Sequence, residues 1–115
     1  MLGNAAVQPV LCSEVVTATV YNAVESQTNS EPLVTASGFV IDKEEFPNII
    51  AVSRDLEDRF PLGSTVRISG TSFDGIYVVE DRMHRRWRKK IDILVPDSIK
   101  LGKWRKVVIS RIFRE

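Results

Sequence analysis

Between Val15 and Ile112 the chain is a succession of short runs rich in β-branched residues, cut by Gly, Pro, Asn and Asp. That pattern constrains the fold more than any other feature, because such residues suit a pleated, half-buried surface. Val15-Val16-Thr17-Ala18-Thr19-Val20-Tyr21 is the first run, with Val16, Ala18 and Val20 on one face and Thr17, Thr19 and Tyr21 on the other. Asn22 to Pro32 reads as a long polar loop, and Val34 to Ile41 as a second strand interrupted at Ser37-Gly38. Ile49 to Val52 follows, then a short helix capped by Ser53 with Leu56 and Phe60 turned inward, stopped by Pro61-Leu62-Gly63. Thr65 to Ser69, Gly75 to Glu80, Lys90 to Val95 and Lys106 to Ile112 complete the strands, with Asp97 capping a further short turn that ends at Gly102. Six or seven short strands in one sheet leave two edges to protect, and closing the sheet removes both. The expectation is an all-β chain: a small six-stranded barrel with one or two short helices.

At 115 residues there is room for one domain with a real core, here residues 15–115 after a lead-in segment 1–14. No apolar run reaches the roughly 18 residues of a membrane helix. Met1 to Cys12 has no basic flank, so either a secretory signal has been removed or the chain is made without one. Cys12 is the only cysteine and His84 the only histidine, which excludes an intrachain disulfide and a typical zinc ligand set; no metal or other cofactor is expected. Charge is divided unevenly: residues 1–50 hold six acids and one base, and residues 51–115 nine acids and fifteen bases.

Asp92 is the most informative residue. It stands in Lys90-Ile91-Asp92-Ile93-Leu94-Val95, where Ile91, Ile93 and Val95 face the core and Asp92 faces away. Partial burial there would raise its pKa and make it a proton donor near neutral pH; alternatively it is a carboxylate paired to one of many nearby bases. Asp81 ends its strand eleven residues earlier. It either joins Asp92 in a carboxylate pair or bonds turn amides. Between them, six of the nine residues from Arg82 to Lys90 are Arg or Lys, with Trp87 and His84 among them. Such a loop could bind phosphate, attract carboxylates, or be a solvated hairpin. The absence of a helix-turn-helix, zinc-finger or RNA-binding motif weighs against nucleic acid as the partner.

Several segments occur in one order: Val16 to Tyr21, Thr35-Ala36-Ser37-Gly38, Ile50-Ala51-Val52, Pro61-Leu62-Gly63, Glu80-Asp81 and Ile91-Asp92-Ile93. The chain thereby resembles the 3D (three-aspartate) domain family, related to the barrel of membrane-bound lytic transglycosylase A and to expansins and RlpA-like proteins. The resemblance spans residues 15–112. It implies a double-psi β-barrel that handles peptidoglycan glycan strands outside the cytoplasm, in periplasm, envelope or virion. It further implies cleavage of the MurNAc–GlcNAc bond with Asp92 as acid/base and Asp81 as its partner. Thr35, Ser37, Tyr21, Asp55, Arg82 and Trp87 are then candidates for binding the glycan. Two departures stand out. Ser53 occupies the place of the first family aspartate, with Asp55 two residues on, and the family's glycine-rich segment after Asp81 is replaced by the basic run. The alternative implied is a barrel of the same fold that binds glycan, or serves as a structural module, without catalysis.

Overall fold

The computed structural model describes residues 9–22, 34–42, 47–96, 98–99 and 101–113. Among the described residues six strands are present: β1 (Val10–Tyr21), β2 (Ile49–Val52), β3 (Thr65–Ser69), β4 (Gly75–Arg82), β5 (Lys90–Leu94) and β6 (Lys103–Ile112). They close into a barrel in the order β1-β5-β2-β4-β3-β6. β1 runs parallel to β5 and β2 parallel to β4, and the remaining neighbours are antiparallel. Two connections therefore straddle an inserted strand: β1 reaches β2 across β5, and β4 reaches β5 across β2. Two such interlocked loops make the double-psi barrel.

The interior follows the period of two. Val16 and Ala18 of β1, Ile50 and Val52 of β2, and Ile91 and Ile93 of β5 are buried in one cluster with their counterparts from the other strands. Leu56 and Phe60, fully buried, join that cluster from the segment after β2. At roughly 1.5–3 kcal/mol for each large apolar side chain, this core is what offsets the entropy of ordering the chain.

Five expectations change. β1 starts at Val10, so the last part of the expected lead-in already belongs to the barrel, pairing with β6 from Val10↔Ile112 onward. The segment 34–41 is not a barrel strand but a small hairpin closed by a single Val34↔Val40 bridge, because Thr35-Ala36-Ser37-Gly38 turns the chain back on itself. The short helix is one 3-10 turn, Arg54–Leu56, whose N-cap Ser53 makes no side-chain capping bond. β4 and β6 extend beyond their expected ends. Asn22, taken from sequence as the start of a polar loop, is buried and donates through Nδ2 to the carbonyls of Val95, Pro96 and Ile99. Residues 23–33, Asp97 and the start of the chain lie outside the described residues.

Phe60 measures the value of this closure. Phe60→Ala should lower unfolding stability by about 3–5 kcal/mol, the range for emptying an aromatic site that cannot collapse, read from urea melts at constant m-value.

Candidate functional site

The site lies on the outer face of the sheet formed by β1, β5, β2 and β4. Register sets Thr19 opposite Asp92, Asp92 opposite Ala51, and Ala51 opposite Asp81. These four residues form one row across four strands, with the small Ala51 between the two carboxylates. Two strand spacings separate the aspartate backbones by about 10 Å. Asp81 owes its place to a β-bulge. Ile50 pairs with Val79 but the next residue, Ala51, pairs with Asp81, so Glu80 is the extra residue in β4. Without the bulge Glu80 would face Ala51, and the side-chain alternation would point Asp81 the other way.

Asp92 is largely covered. Thr19 Oγ1 donates to its Oδ1 at 2.8 Å. Burial raises its pKa above the ordinary carboxylate value, outweighing the Thr19 bond and the Lys90 charge, and the negative charge of Asp81 adds to the rise. Asp81 is raised too, again chiefly by burial. Its Oδ1 accepts the amides of Ala36 at 3.1 Å and Arg82 at 2.9 Å, which with the Arg82 charge partly offset that effect. Asp81 thus bonds turn amides, and its charge reaches Asp92.

Tyr21 lies two residues beyond Thr19 on the same face, against the cluster of Ile41, Ile49, Leu94 and Phe39. Burial first, then the charges of Asp81 and Asp92, push its ionisation far up, so the phenol keeps its proton. Its buried hydroxyl makes no hydrogen bond among the described residues. A buried unpartnered hydroxyl is costly and rare, and beside two carboxylates it has a proton to donate.

Thr35 and Ser37 shape this region rather than project into it. Thr35 is buried, and its hydroxyl accepts the amide of Phe39 at 3.1 Å and lies 3.1 Å from that of Ser37. Ser37 is tied to the bulged residue: its amide donates to the Glu80 carbonyl at 3.1 Å and its hydroxyl to the Glu80 carboxylate at 2.6 Å. Gly38, at φ 88°, allows the turn. The hairpin thus docks on β4 and delivers the Ala36 amide to Asp81. An open depression of about 620 Å³, lined by Ala36, Ser37, Phe39, Leu62 and Glu80, lies beside it and includes neither aspartate.

The remaining candidates are placed elsewhere. Asp55 accepts the Lys89 amide at 3.0 Å; burial raises its pKa, but bonds from the Ser53 side chain and the Lys89 amide win, and the net shift is downward. It does not stand in for an aspartate in the row. Arg82 pairs with Glu57 at 3.0 Å. Trp87 carries the Lys90 ammonium 3.7 Å and the Arg86 guanidinium 4.8 Å from its ring centre. His84 is exposed, and its Nδ1 accepts the Arg86 amide at 3.1 Å. Ser53 is fully buried, and its hydroxyl accepts the Lys90 amide at 3.0 Å, a structural role. Thr19, Ala51 and the Ala36 amide were not singled out from sequence. The outward alternation of Thr19 with Tyr21 was the one available sign of it. Among the described residues no cluster of three or more His, Cys, Asp or Glu exists to hold a metal, and no helix is long and apolar enough to cross a membrane.

No family model matches the chain, and no curated protein matches it. Solved structures do. The Streptomyces papain inhibitor is similar over 94% of this chain and 100% of its own, at 19% identity and a TM-score of 0.59. A variant of the Clavibacter michiganensis expansin, in complex with cellohexaose, is similar over 90% of this chain at 11% identity and a TM-score of 0.57. The match takes in 51% of the expansin chain, about half its length. At these identities the likeness establishes the barrel fold that the sequence led us to expect.

The raised carboxylates have a thermodynamic consequence. An acid whose pKa is higher folded than unfolded binds more protons in the folded state, so stability falls as pH rises through that interval and stays lower above it. Asp92→Asn, which keeps the acceptor for Thr19, should therefore raise the melting temperature at pH 7 by several degrees, given roughly 4 °C per kcal/mol for a domain of this size. The gain should vanish below the ordinary aspartate pKa, as thermal melts across pH 3–8 would show.

Proposed function

We propose that this barrel acts on bacterial cell-wall glycan as a lytic-transglycosylase-type enzyme, with Asp92 as acid/base and Asp81 as its supporting charge. The observation that carries this reading is the row Thr19–Asp92–Ala51–Asp81, in which burial holds Asp92 closer to neutral pH than an exposed carboxylate. The ordered family segments and the fold shared with an expansin crystallised with cellohexaose support it.

The chemistry needs one group that gives a proton and takes one back. Protonated Asp92 donates to the glycosidic oxygen between MurNAc and GlcNAc as the C1–O bond breaks, leaving a free 4-hydroxyl on the departing sugar. The Asp92 carboxylate then accepts the proton of the MurNAc 6-hydroxyl while that oxygen bonds C1, closing a 1,6-anhydro ring with no water added. Asp81, whose two amide bonds and Arg82 favour its charged form, stabilises the positive charge that develops at C1. Thr19 fixes one oxygen of Asp92 and leaves the other for substrate. Such a substrate sets the working place outside the cytoplasm.

The second reading, a barrel of this fold that binds glycan or serves in an envelope or virion assembly without cleaving, is favoured by Ser53 and the basic loop. The place of the first family aspartate holds a buried serine bonded to the Lys90 amide, and the glycine-rich segment is replaced. Digestion of purified insoluble peptidoglycan with wild type and Asp92→Asn, read by mass spectrometry, separates the two. Anhydro-muropeptides from wild type, reduced at least about a hundredfold in the variant, are expected, the lower range for losing a general acid. No products from folded wild-type protein would leave the binding or structural reading.

A further inference from the structure

The connection from β4 to β5 is an anchored loop. The Met83 amide donates to the Val52 carbonyl at 2.9 Å, the Met83 side chain is buried, and its carbonyl accepts Arg54 Nε at 3.2 Å. The tip is closed by the Trp87 amide on the His84 carbonyl at 3.0 Å and the Arg86 amide on His84 Nδ1 at 3.1 Å. On the return, Lys89 takes φ 48°, a left-handed conformation unusual for a side-chain-bearing residue, held by Asp55 on its amide and by Thr17 on its carbonyl. The Ser53 hydroxyl fixes the next amide, that of Lys90.

Within this frame the six cations divide into two groups. Arg82 is paired with Glu57, Lys89 with Glu14 at 3.1 Å, and Lys90 lies on Trp87. Arg85, Arg86 and Arg88 are exposed and form no ion pair among the described residues; Arg86 rests on the indole and Arg88 lies near Asp55. Three guanidinium groups within four residues repel one another, and a solvated hairpin would relieve that by loosening. Here the backbone holds them together, which lowers the ordering cost of binding an anion. Trp87 is already engaged by two cations, so it is not an open platform for a base, which disfavours single-stranded nucleic acid. What remains is a set of planar forks suited to carboxylate oxygens.

The loop also has a defined position. Arg82 directly follows Asp81 and Lys90 stands two residues before Asp92, so the loop leaves and rejoins the sheet beside the aspartate row. Substituents of a polymer laid along the row would reach it. We propose that Arg85, Arg86 and Arg88 recognise the carboxylates of peptide stems on the glycan strand that occupies the row, an inference that rests on the glycan reading above.

The test compares the full chain with its Arg85→Ala/Arg86→Ala/Arg88→Ala variant on peptidoglycan sacculi freed of teichoic acid. Half of the sacculi have their stem carboxylates amidated by carbodiimide coupling. Wild type should bind untreated sacculi at least about tenfold more tightly than amidated ones, the equivalent of one charge-assisted hydrogen bond. That preference should collapse between about 0.05 M and 0.5 M salt. The triple variant, with an unchanged melting temperature, should bind both forms at the level wild type shows on amidated sacculi. A preference that survives in the triple variant, or a wild type that does not discriminate, overturns the proposal. So does arginine-dependent binding to DNA or RNA without binding to sacculi. Asp92→Asn distinguishes the two claims: it should keep the carboxylate preference, while loss of anhydro products bears only on the chemistry of the row.

Discussion

The structure depends on a four-residue strand. Ile49–Val52 is buried along its whole length, hydrogen-bonded to β4 on one side and β5 on the other. Ile50 and Val52 point into the barrel, while Ile49 packs in the outer cluster and Ala51 is buried between the two aspartate-bearing strands. A strand covered on both faces must be continuously apolar, and Ile-Ile-Ala-Val is. Its insertion between two strands that are consecutive in the chain turns what would be a hairpin into a psi loop. The same insertion spaces Asp81 and Asp92 one strand to either side of Ala51. Fold closure and site geometry therefore have a single cause.

The burial that raises the two aspartates works against stability. Asp92 and Asp81 would each ionise more readily in water, and Tyr21 keeps a hydroxyl with no partner among the described residues. In a chain held by a well-filled apolar interior, such costs are tolerated at a few positions and are commonly concentrated where function is. The contrast with Asp55 is informative. It is equally acidic by sequence, yet its bonds lower its pKa, because its task is to hold a backbone turn in the basic loop.

Much of this was legible in the residues. Alternation in Val15 to Tyr21 and Lys90 to Val95 identified the inward faces correctly, and Asp92 was conspicuous because an acid in so apolar a run needs an explanation. Leu56 and Phe60 followed from their spacing. What sequence did not reveal was pairing between distant segments. Thr19 meets Asp92 only because β1 and β5 are parallel neighbours, and nothing local announces a parallel pair. The bulge at Glu80 has no marker such as glycine at that position, so the direction of Asp81 could not be read. The hairpin at 34–40 looked like a strand because Val34, Phe39 and Val40 have strand propensity; the side-chain bonds of Thr35 and Ser37 override it.

The pairing of β1 has a consequence for how the barrel comes to exist. Its neighbours are β5 and β6, so Thr17 is matched to Lys90 and Val16 to Val107. No early, local hairpin can protect its edges. While the chain is being made, the strand bearing Thr19 and Tyr21 stays open until β5 and β6 have emerged, and closure must then draw distant segments together at once. Folding dominated by such non-local pairing falls in the slow, millisecond-to-second regime, with an exposed Val-rich edge for the duration. The interlocked topology that fixes the aspartate row thus also fixes a period in synthesis during which this segment needs shielding from other chains.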